Sequence, residues 1–195
     1  MVTRAKRILG LDISTTTIGW ALMTPEGFSL EMHYIPLGKI ENLYSKAQEF
    51  RKWVRSMHSK WDITHVFIEE DLKKFRRGFS SATVIRKLSR FNGMACLVIY
   101  EELGLSPELV NVNRGRKSLG VVIDKKDKSK STKEKVFDWL IENDEVCKSY
   151  TWPTKILRGG PRKGQEVMIA ECGDMADAYV MARSGLIDFV SDVDI

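Results

Sequence analysis

One carboxylate stands inside a short apolar stretch near the start of the chain, and it constrains the fold more than any other residue. The stretch is RILGLDISTTT, at residues 7–17. Its apolar residues are Ile8, Leu9, Leu11 and Ile13. Such a run is typical of a strand buried on both faces of a central sheet. Asp12 lies within it, and an ionised carboxylate is costly to bury unless it is paired, hydrogen-bonded or bound to a cation. The rest of the chain must supply that partner.

The overall composition is that of an ordinary globular protein. A chain of 195 residues is ample for one core and small for two, so we expect a single domain over residues 1–195. The three cysteines and three histidines are scattered, which disfavours a disulfide framework or a zinc site. No apolar run predicts a signal peptide or a membrane span. The formal charge of +5 slightly favours a polyanionic partner.

Hydrophobic periodicity predicts an α/β fold with one mixed sheet. Three strands at 7–13, 19–23 and 28–35 are joined by links so short that they must be antiparallel neighbours. The later elements are a helix at 41–60, a strand at 63–71, a helix at 80–103, a strand at 109–112, a helix from 131 and a last helix from about 173. Residues 113–133 and 146–167 are predicted to be long basic or irregular loops.

Further acids occur where acids are unusual. Glu69 and Glu70 end the apolar strand at 63–71, and Asp174 and Asp177 share one face in the first turn of the last helix. Each alone is more typical of a cap or a surface charge. Together with Asp12 they indicate a site for hard divalent cations, two of which, about 4 Å apart, can clamp a phosphodiester.

The chain resembles the RuvC-type Holliday-junction resolvases of the RNase H-like nuclease superfamily. The matching segments are ILGLDIS at 8–14, GWA at 19–21, VFIE at 66–69 and DMADA at 174–178. The resemblance implies an RNase H-like five-stranded mixed sheet flanked by helices. It also implies that Asp12, Glu69, Asp174 and Asp177 are catalytic ligands of two Mg²⁺ ions, for which Mn²⁺ can substitute, and it selects Glu69 over Glu70.

The resemblance also implies residues that touch nucleic acid. Lys117 and Lys133 are expected to be catalytic through contacts with the phosphates. The expected nucleic-acid-binding residues are Lys73, Lys74, Phe75, Arg76, Arg77, Phe79, Arg114, Arg116, Lys117 and Lys133. The family places an aromatic wedge shortly after the strand glutamate, where this chain has Leu72 and its nearest aromatic residues are Phe75 and Phe79.

The implied activity is metal-dependent cleavage of four-way DNA junctions that leaves 5′-phosphate ends. Symmetrical cleavage favours a C₂ homodimer, for which the helix at 80–103, with Gly93 and Ala95, is the candidate interface. We expect no membrane partner. The expected compartment is the cytoplasm, at the nucleoid or in the host of a phage, with an organelle left open. Two alternatives stay open: an RNase H-like nuclease for other branched DNA, RNA–DNA hybrids or structured RNA, and an actin-like ATP-binding protein.

Overall fold

A computed structural model of the chain shows a five-stranded mixed sheet. It describes residues 4–70, 82–124, 126 and 128–190, and within these the side chains of all but 29, 30, 189 and 190. The strands of the sheet are β1 (Lys6–Ile13), β2 (Thr17–Met23), β3 (Ser29–Pro36), β4 (Asp62–Glu69) and β5 (Glu108–Val110). Their order is β3-β2-β1-β4-β5, with β1, β2 and β3 antiparallel and β1, β4 and β5 parallel. The predicted fold class is confirmed.

Helices cover both faces of this sheet. They are α1 (Leu43–Lys60), α2 (Ala82–Leu103), α3 (Val112–Ser118), α4 (Thr132–Asn143), α5 (Glu145–Ser149) and α6 (Cys172–Gly185), followed by a π-helical turn at Leu186–Val190. One hydrophobic cluster joins α1 and α2 to one face, and a second joins α4 and α6 to the other. In the part of the chain that the structure describes, no helix is both long and apolar enough to cross a membrane.

Two segments that were predicted to be loops contain short helices and strands, so these predictions are wrong in part. The short elements do not repeat apolar residues at a regular spacing. Residues 113–133 include most of α3, which begins where the Asn111 side chain accepts hydrogen bonds from two backbone amides. Residues 146–167 include most of α5 and an antiparallel hairpin of β6 (Thr154–Ile156) and β7 (Glu166–Met168). Neither element repeats apolar residues often enough for periodicity to reveal it.

Two glycines let α6 lie directly on the sheet. A Cβ at Gly10 of β1 would stand 2.2 Å from the carbonyl oxygen of Ala178, and one at Gly19 of β2 would stand 2.1 Å from that of Asp174. Any larger residue would push the helix away. Gly19 is the register partner of Asp12, so the first turn of α6 is held above the strand pair that carries the buried acid.

Candidate metal and nucleic-acid site

The sheet contributes two carboxylates to the candidate site. Asp12 lies near the end of β1 and Glu69 ends β4, and these strands are parallel neighbours in which Leu11 pairs with Ile68. The two acids therefore lie side by side at the same edge of the sheet. Asp12 is only 8% exposed. The next residue, Glu70, accepts a hydrogen bond from the Asn111 side chain.

Helix α6 contributes the other two carboxylates. Asp174 and Asp177 lie one turn apart on the same face, as the spacing predicts, and Asp177 is buried. Gly10 of β1 and Gly19 of β2 let this helix pack closely on both strands, with Gly19 next to the backbone of Asp174. We call Asp12, Glu69, Asp174 and Asp177 the carboxylate site.

A lysine ammonium lies among these acids. Lys133, from the first turn of α4, places its Nζ 2.8 Å from Asp12 Oδ2, 2.5 Å from Asp174 Oδ1 and 3.2 Å from Asp177 Oδ2. A Ser131–Glu134 capping box fixes the start of α4 and so the point from which this side chain extends. Arg116 of α3 approaches from another side, with Nη2 3.2 Å from Asp177 Oδ1.

The site holds more acid than base, and its pKa values reflect this. Burial, followed by the charges of Asp12 and Asp177, raises the pKa of Glu69 to about 7. Burial is also the largest cause that raises the pKa of Asp12 to about 6, against the opposing charge of Lys133. For Lys133 burial alone would lower the pKa, but the three aspartates outweigh it and raise the pKa above its usual range. An added cation would relieve this surplus of negative charge.

The donor chemistry fits a hard divalent cation, although the observed arrangement is organised around an amine. All four side chains offer carboxylate oxygens, the ligands that Mg²⁺ and Mn²⁺ prefer. Among the described residues, no three acidic, histidine or cysteine side chains are grouped as a metal site. The Lys133 ammonium instead bridges three of the acids. Metal binding by the carboxylate site therefore requires Lys133 to give up at least part of these contacts.

The predicted nucleic-acid residues are placed unequally. Arg116 is paired with Asp177 inside the site, and Arg114 pairs with Asp188 at 3.1 Å. Lys117 is exposed and, within the described chain, forms no ion pair with the carboxylate site. The remaining predicted contacts, Lys73, Lys74, Phe75, Arg76, Arg77 and Phe79, lie with Leu72 outside the described residues.

Two features of the site were missed by the sequence analysis. The first is Arg116 as an internal counter-ion, which its basic neighbourhood concealed. The second is the pair of glycines that seats α6, although a glycine opposite a buried aspartate in an antiparallel pair is a usable signal of close backbone approach.

Comparison with known proteins supports the fold. No family model matches the chain, and no curated protein matches it in sequence. The solved structure of Thermus thermophilus RuvC in complex with a Holliday junction substrate aligns over 96% of this chain and 96% of its own, with a TM-score of 0.62 and 14% identity. A further T. thermophilus RuvC structure aligns over 91% and 92%, with a TM-score of 0.58 and 15% identity. The predicted resemblance is confirmed at the level of the fold.

Proposed function

We propose that the chain is one nuclease domain, residues 1–195, that resolves four-way DNA junctions by metal-dependent hydrolysis and leaves 5′-phosphate ends. The observation that carries the proposal is the carboxylate site: among the described residues, Asp12, Asp174 and Asp177 pair with only two cations, Lys133 and Arg116. Glu69 lies close enough for the charges of Asp12 and Asp177 to raise its pKa. The carboxylate site lies on a fold similar to that of a RuvC structure containing junction DNA.

Asp12, Glu69, Asp174 and Asp177 are the residues that would hold the metal. Two bound Mg²⁺ ions would supply a water of lowered pKa and charge stabilisation for the leaving 3′-oxygen. The protein holds these ligands in place. Asp12 is fixed by a central strand, and Asp174 and Asp177 are fixed by the contact of α6 with Gly10 and Gly19. No histidine base is needed in this scheme.

The cations next to the site have different tasks in the proposal. Lys133 neutralises the acids when no metal is present, and its flexible stem would let the ammonium contact a phosphate oxygen when DNA is bound. Lys117 is exposed and available to a neighbouring phosphate. Arg116 is paired with Asp177 and so also supports the carboxylate site, whereas Arg114 pairs with Asp188 outside that site and stays exposed to a DNA backbone.

A homodimer through α2 belongs to the same proposal. The outward face of α2 carries Gly93, where an added Cβ would meet nothing within 4 Å, and the exposed side chains of Leu97 and Tyr100. Ala95, expected at this interface, is instead buried in the core between α1, α2 and the sheet. We expect Leu97→Glu with Tyr100→Glu to sediment as a monomer where the wild type sediments as a dimer. A monomeric wild type at micromolar concentration contradicts this part of the proposal.

One cleavage assay tests the proposed activity. Labelled four-way junction, Y-fork, linear duplex and RNA–DNA hybrid are incubated with protein in Mg²⁺, in Mn²⁺ and in EDTA. We expect paired cuts in the junction with either metal and none in EDTA. Preferential cutting of the fork or the hybrid would move the substrate to another branched DNA or to a hybrid, and cleavage in EDTA would contradict the metal mechanism. ATP binding in a calorimeter, without cleavage of any substrate, would favour the actin-like alternative. The proposed compartment is whichever one holds the junction DNA.

A further inference from the structure

A buried lysine marks a second cationic region beyond the carboxylate site. Lys46 stands on the core-facing side of α1, between Leu43 and Phe50, and is only 4% exposed. Its ammonium donates a hydrogen bond to the carbonyl oxygen of Thr15. Among the described residues no carboxylate pairs with it. Burying the charge of an ammonium without a counter-ion is costly, so an anion bound near Lys46 would stabilise it.

Three more cations lie on the first half of α2, near the start of α1. The charge of Lys87 lowers the pKa of the Lys46 ammonium, after the larger effect of burial, so the two cations are close. Arg86, Lys87 and Arg90 line a cleft of about 440 Å³ together with Glu41, Asn42 and Tyr44 from the start of α1. Glu41 is the one acid in this lining. We call Arg86, Lys87 and Arg90 the basic cleft; Lys46 does not line it but is buried close to Lys87.

The other end of the same helix pair is organised differently. There Arg51 pairs with Glu101 and Glu102, and Arg55 places its Nε 2.7 Å from Glu102 Oε2. By contrast, within the described chain none of the basic-cleft cations has a carboxylate partner. At the end of the α1–α2 pair nearer the β1–β2 turn, three cations therefore lie together without a carboxylate partner among the described residues, and a ligand that supplies several anionic oxygens would complement them.

The position of the basic cleft relates it to the carboxylate site. Thr15, which Lys46 contacts, is three residues beyond Asp12 in the turn from β1 to β2. The turn is fixed further by hydrogen bonds of the Ser14 hydroxyl with the Thr17 backbone and by the Leu37 amide donating to the Thr16 carbonyl. The turn that follows Asp12 of the carboxylate site is therefore also in contact with Lys46, the buried lysine next to the basic cleft.

We propose that the basic cleft binds backbone phosphates of the nucleic acid whose neighbouring segment lies in the carboxylate site. This inference rests on the proposed function, because it takes the ligand to be a nucleic-acid substrate. Such contacts attract and position the backbone without reading bases. Arg86 and Arg90 can each offer a planar fork of donors to a phosphate, and Lys87 offers a point charge. The buried Lys46 adds positive charge close to Lys87 without contacting the ligand.

Salt-dependent binding tests the basic cleft directly. Fluorescence anisotropy in EDTA measures the affinity of wild type and of Lys87→Gln with Arg90→Gln for labelled four-way junction, linear duplex, single strand and RNA–DNA hybrid. Both substituted side chains are exposed, so folding should be preserved. We expect about tenfold weaker binding of the preferred nucleic acid at moderate salt. The slope of log affinity against log salt should fall by about 2, since each phosphate contact contributes about 0.9.

A charge-matched variant provides the control. Lys52→Gln with Lys60→Gln removes the same charge from exposed positions farther along α1, and its salt slope should stay close to that of the wild type. Equal salt slopes for the two double variants would contradict the proposal that the basic cleft binds phosphates. If the wild type binds hybrid or single strand but not junction, the proposed junction specificity is wrong. The comparison of salt slopes, made with the nucleic acid that does bind, still tests whether the basic cleft contacts phosphates. No binding to any of the four would overturn both.

Discussion

Two groups of cations in this molecule face opposite situations. Lys133 and Arg116 come from the most basic part of the sequence, yet both are held by acids of the carboxylate site. Lys46 comes from the apolar stripe of a helix and has no carboxylate partner among the described residues, and Lys87 lies next to it. The comparison shows that local charge density in the sequence does not reveal which cations have a carboxylate partner and which do not. The fold decides that.

The largest effect is expected from removing the ammonium at the centre of the carboxylate site. Lys133→Met leaves three aspartates without their shared counter-ion, so we expect the metal-free protein to lose about 2–3 kcal/mol of stability. This is less than for a fully buried pair, because the Lys133 side chain is 39% exposed. Mg²⁺ should restore much of the loss in a thermal melt, and junction cleavage should fall by roughly 10²-fold because a phosphate contact is lost.

A surface lysine provides the matched control for this change. Lys130 pairs with Asp138 at 2.6 Å, and its side chain is 55% exposed. Lys130→Met should therefore change stability by less than about 1 kcal/mol and should leave the Mg²⁺ response unchanged. Similar melting curves for the two variants would remove the distinction between internal and external cations on which the comparison depends.

A smaller effect is expected at the second internal cation. The Arg116 and Asp177 side chains are 15% and 6% exposed, so Arg116→Gln should lower stability by about 1–3 kcal/mol. Because the Arg116 charge is paired with Asp177, its removal should barely change the slope of log DNA affinity against log salt. Arg114→Gln removes an ion pair whose arginine is 64% exposed and should cost less than about 1 kcal/mol. A large fall in salt slope with unchanged stability for Arg116→Gln would place Arg116 with the DNA-binding cations instead.

The smallest effect is expected in the pH dependence of stability, which arises from the raised pKa values of two acids in the carboxylate site. The pKa values of Asp12 and Glu69 rise from 3.8 and 4.5 to about 6 and about 7. Across that window the folded protein holds more protons than the unfolded chain, so stability falls as pH rises. We expect metal-free wild type to lose about 1–2 kcal/mol between pH 5 and pH 7.5, after allowance for solvent screening.

Two glutamine variants isolate the contribution of Glu69 to this pH dependence. Glu69→Gln cannot titrate, so its melting temperature should fall less over the same pH range than that of the wild type. Glu70→Gln alters the adjacent acid, which contacts Asn111, and should follow the wild-type curve. Parallel curves for all three proteins would show that Glu69 does not carry a raised pKa.

Much of the fold was predictable because long elements carry periodic patterns. The strand predicted at 7–13 and the helices predicted at 41–60 and 80–103 carry apolar residues at the spacing of their element, and they are observed as β1 (Lys6–Ile13), α1 (Leu43–Lys60) and α2 (Ala82–Leu103). Helix α3 and the β6–β7 hairpin escaped prediction, because a cap at Asn111 and the backbone pairing of 154–156 with 166–168 define them without an apolar stripe.

The carboxylates were predictable for a different reason. Asp12, Glu69 and the Asp174–Asp177 pair stand out as acids in apolar elements, and the sheet register and the helix spacing bring them together. The cations that pair with these acids were harder to predict from the sequence. Lys133 is 121 positions away from Asp12, and Arg116 is 61 positions away from Asp177. A contact at that separation depends on the complete topology, which local patterns do not encode. Lys46 did leave a local signal, a lysine on an apolar stripe, but its contact with Thr15 is visible only in the folded chain.

Cleavage of a labelled four-way junction by Asp12→Asn tests the central claim most directly. The substitution keeps the shape of the side chain but removes one charge from the carboxylate site. In Mg²⁺ we expect cleavage to fall at least about 10³-fold, equivalent to about 4 kcal/mol of transition-state stabilisation, while junction affinity in EDTA is kept. Glu70→Gln, at the neighbouring strand end, should cleave like the wild type. Wild-type cleavage by Asp12→Asn would contradict the assignment of the carboxylate site as the catalytic centre.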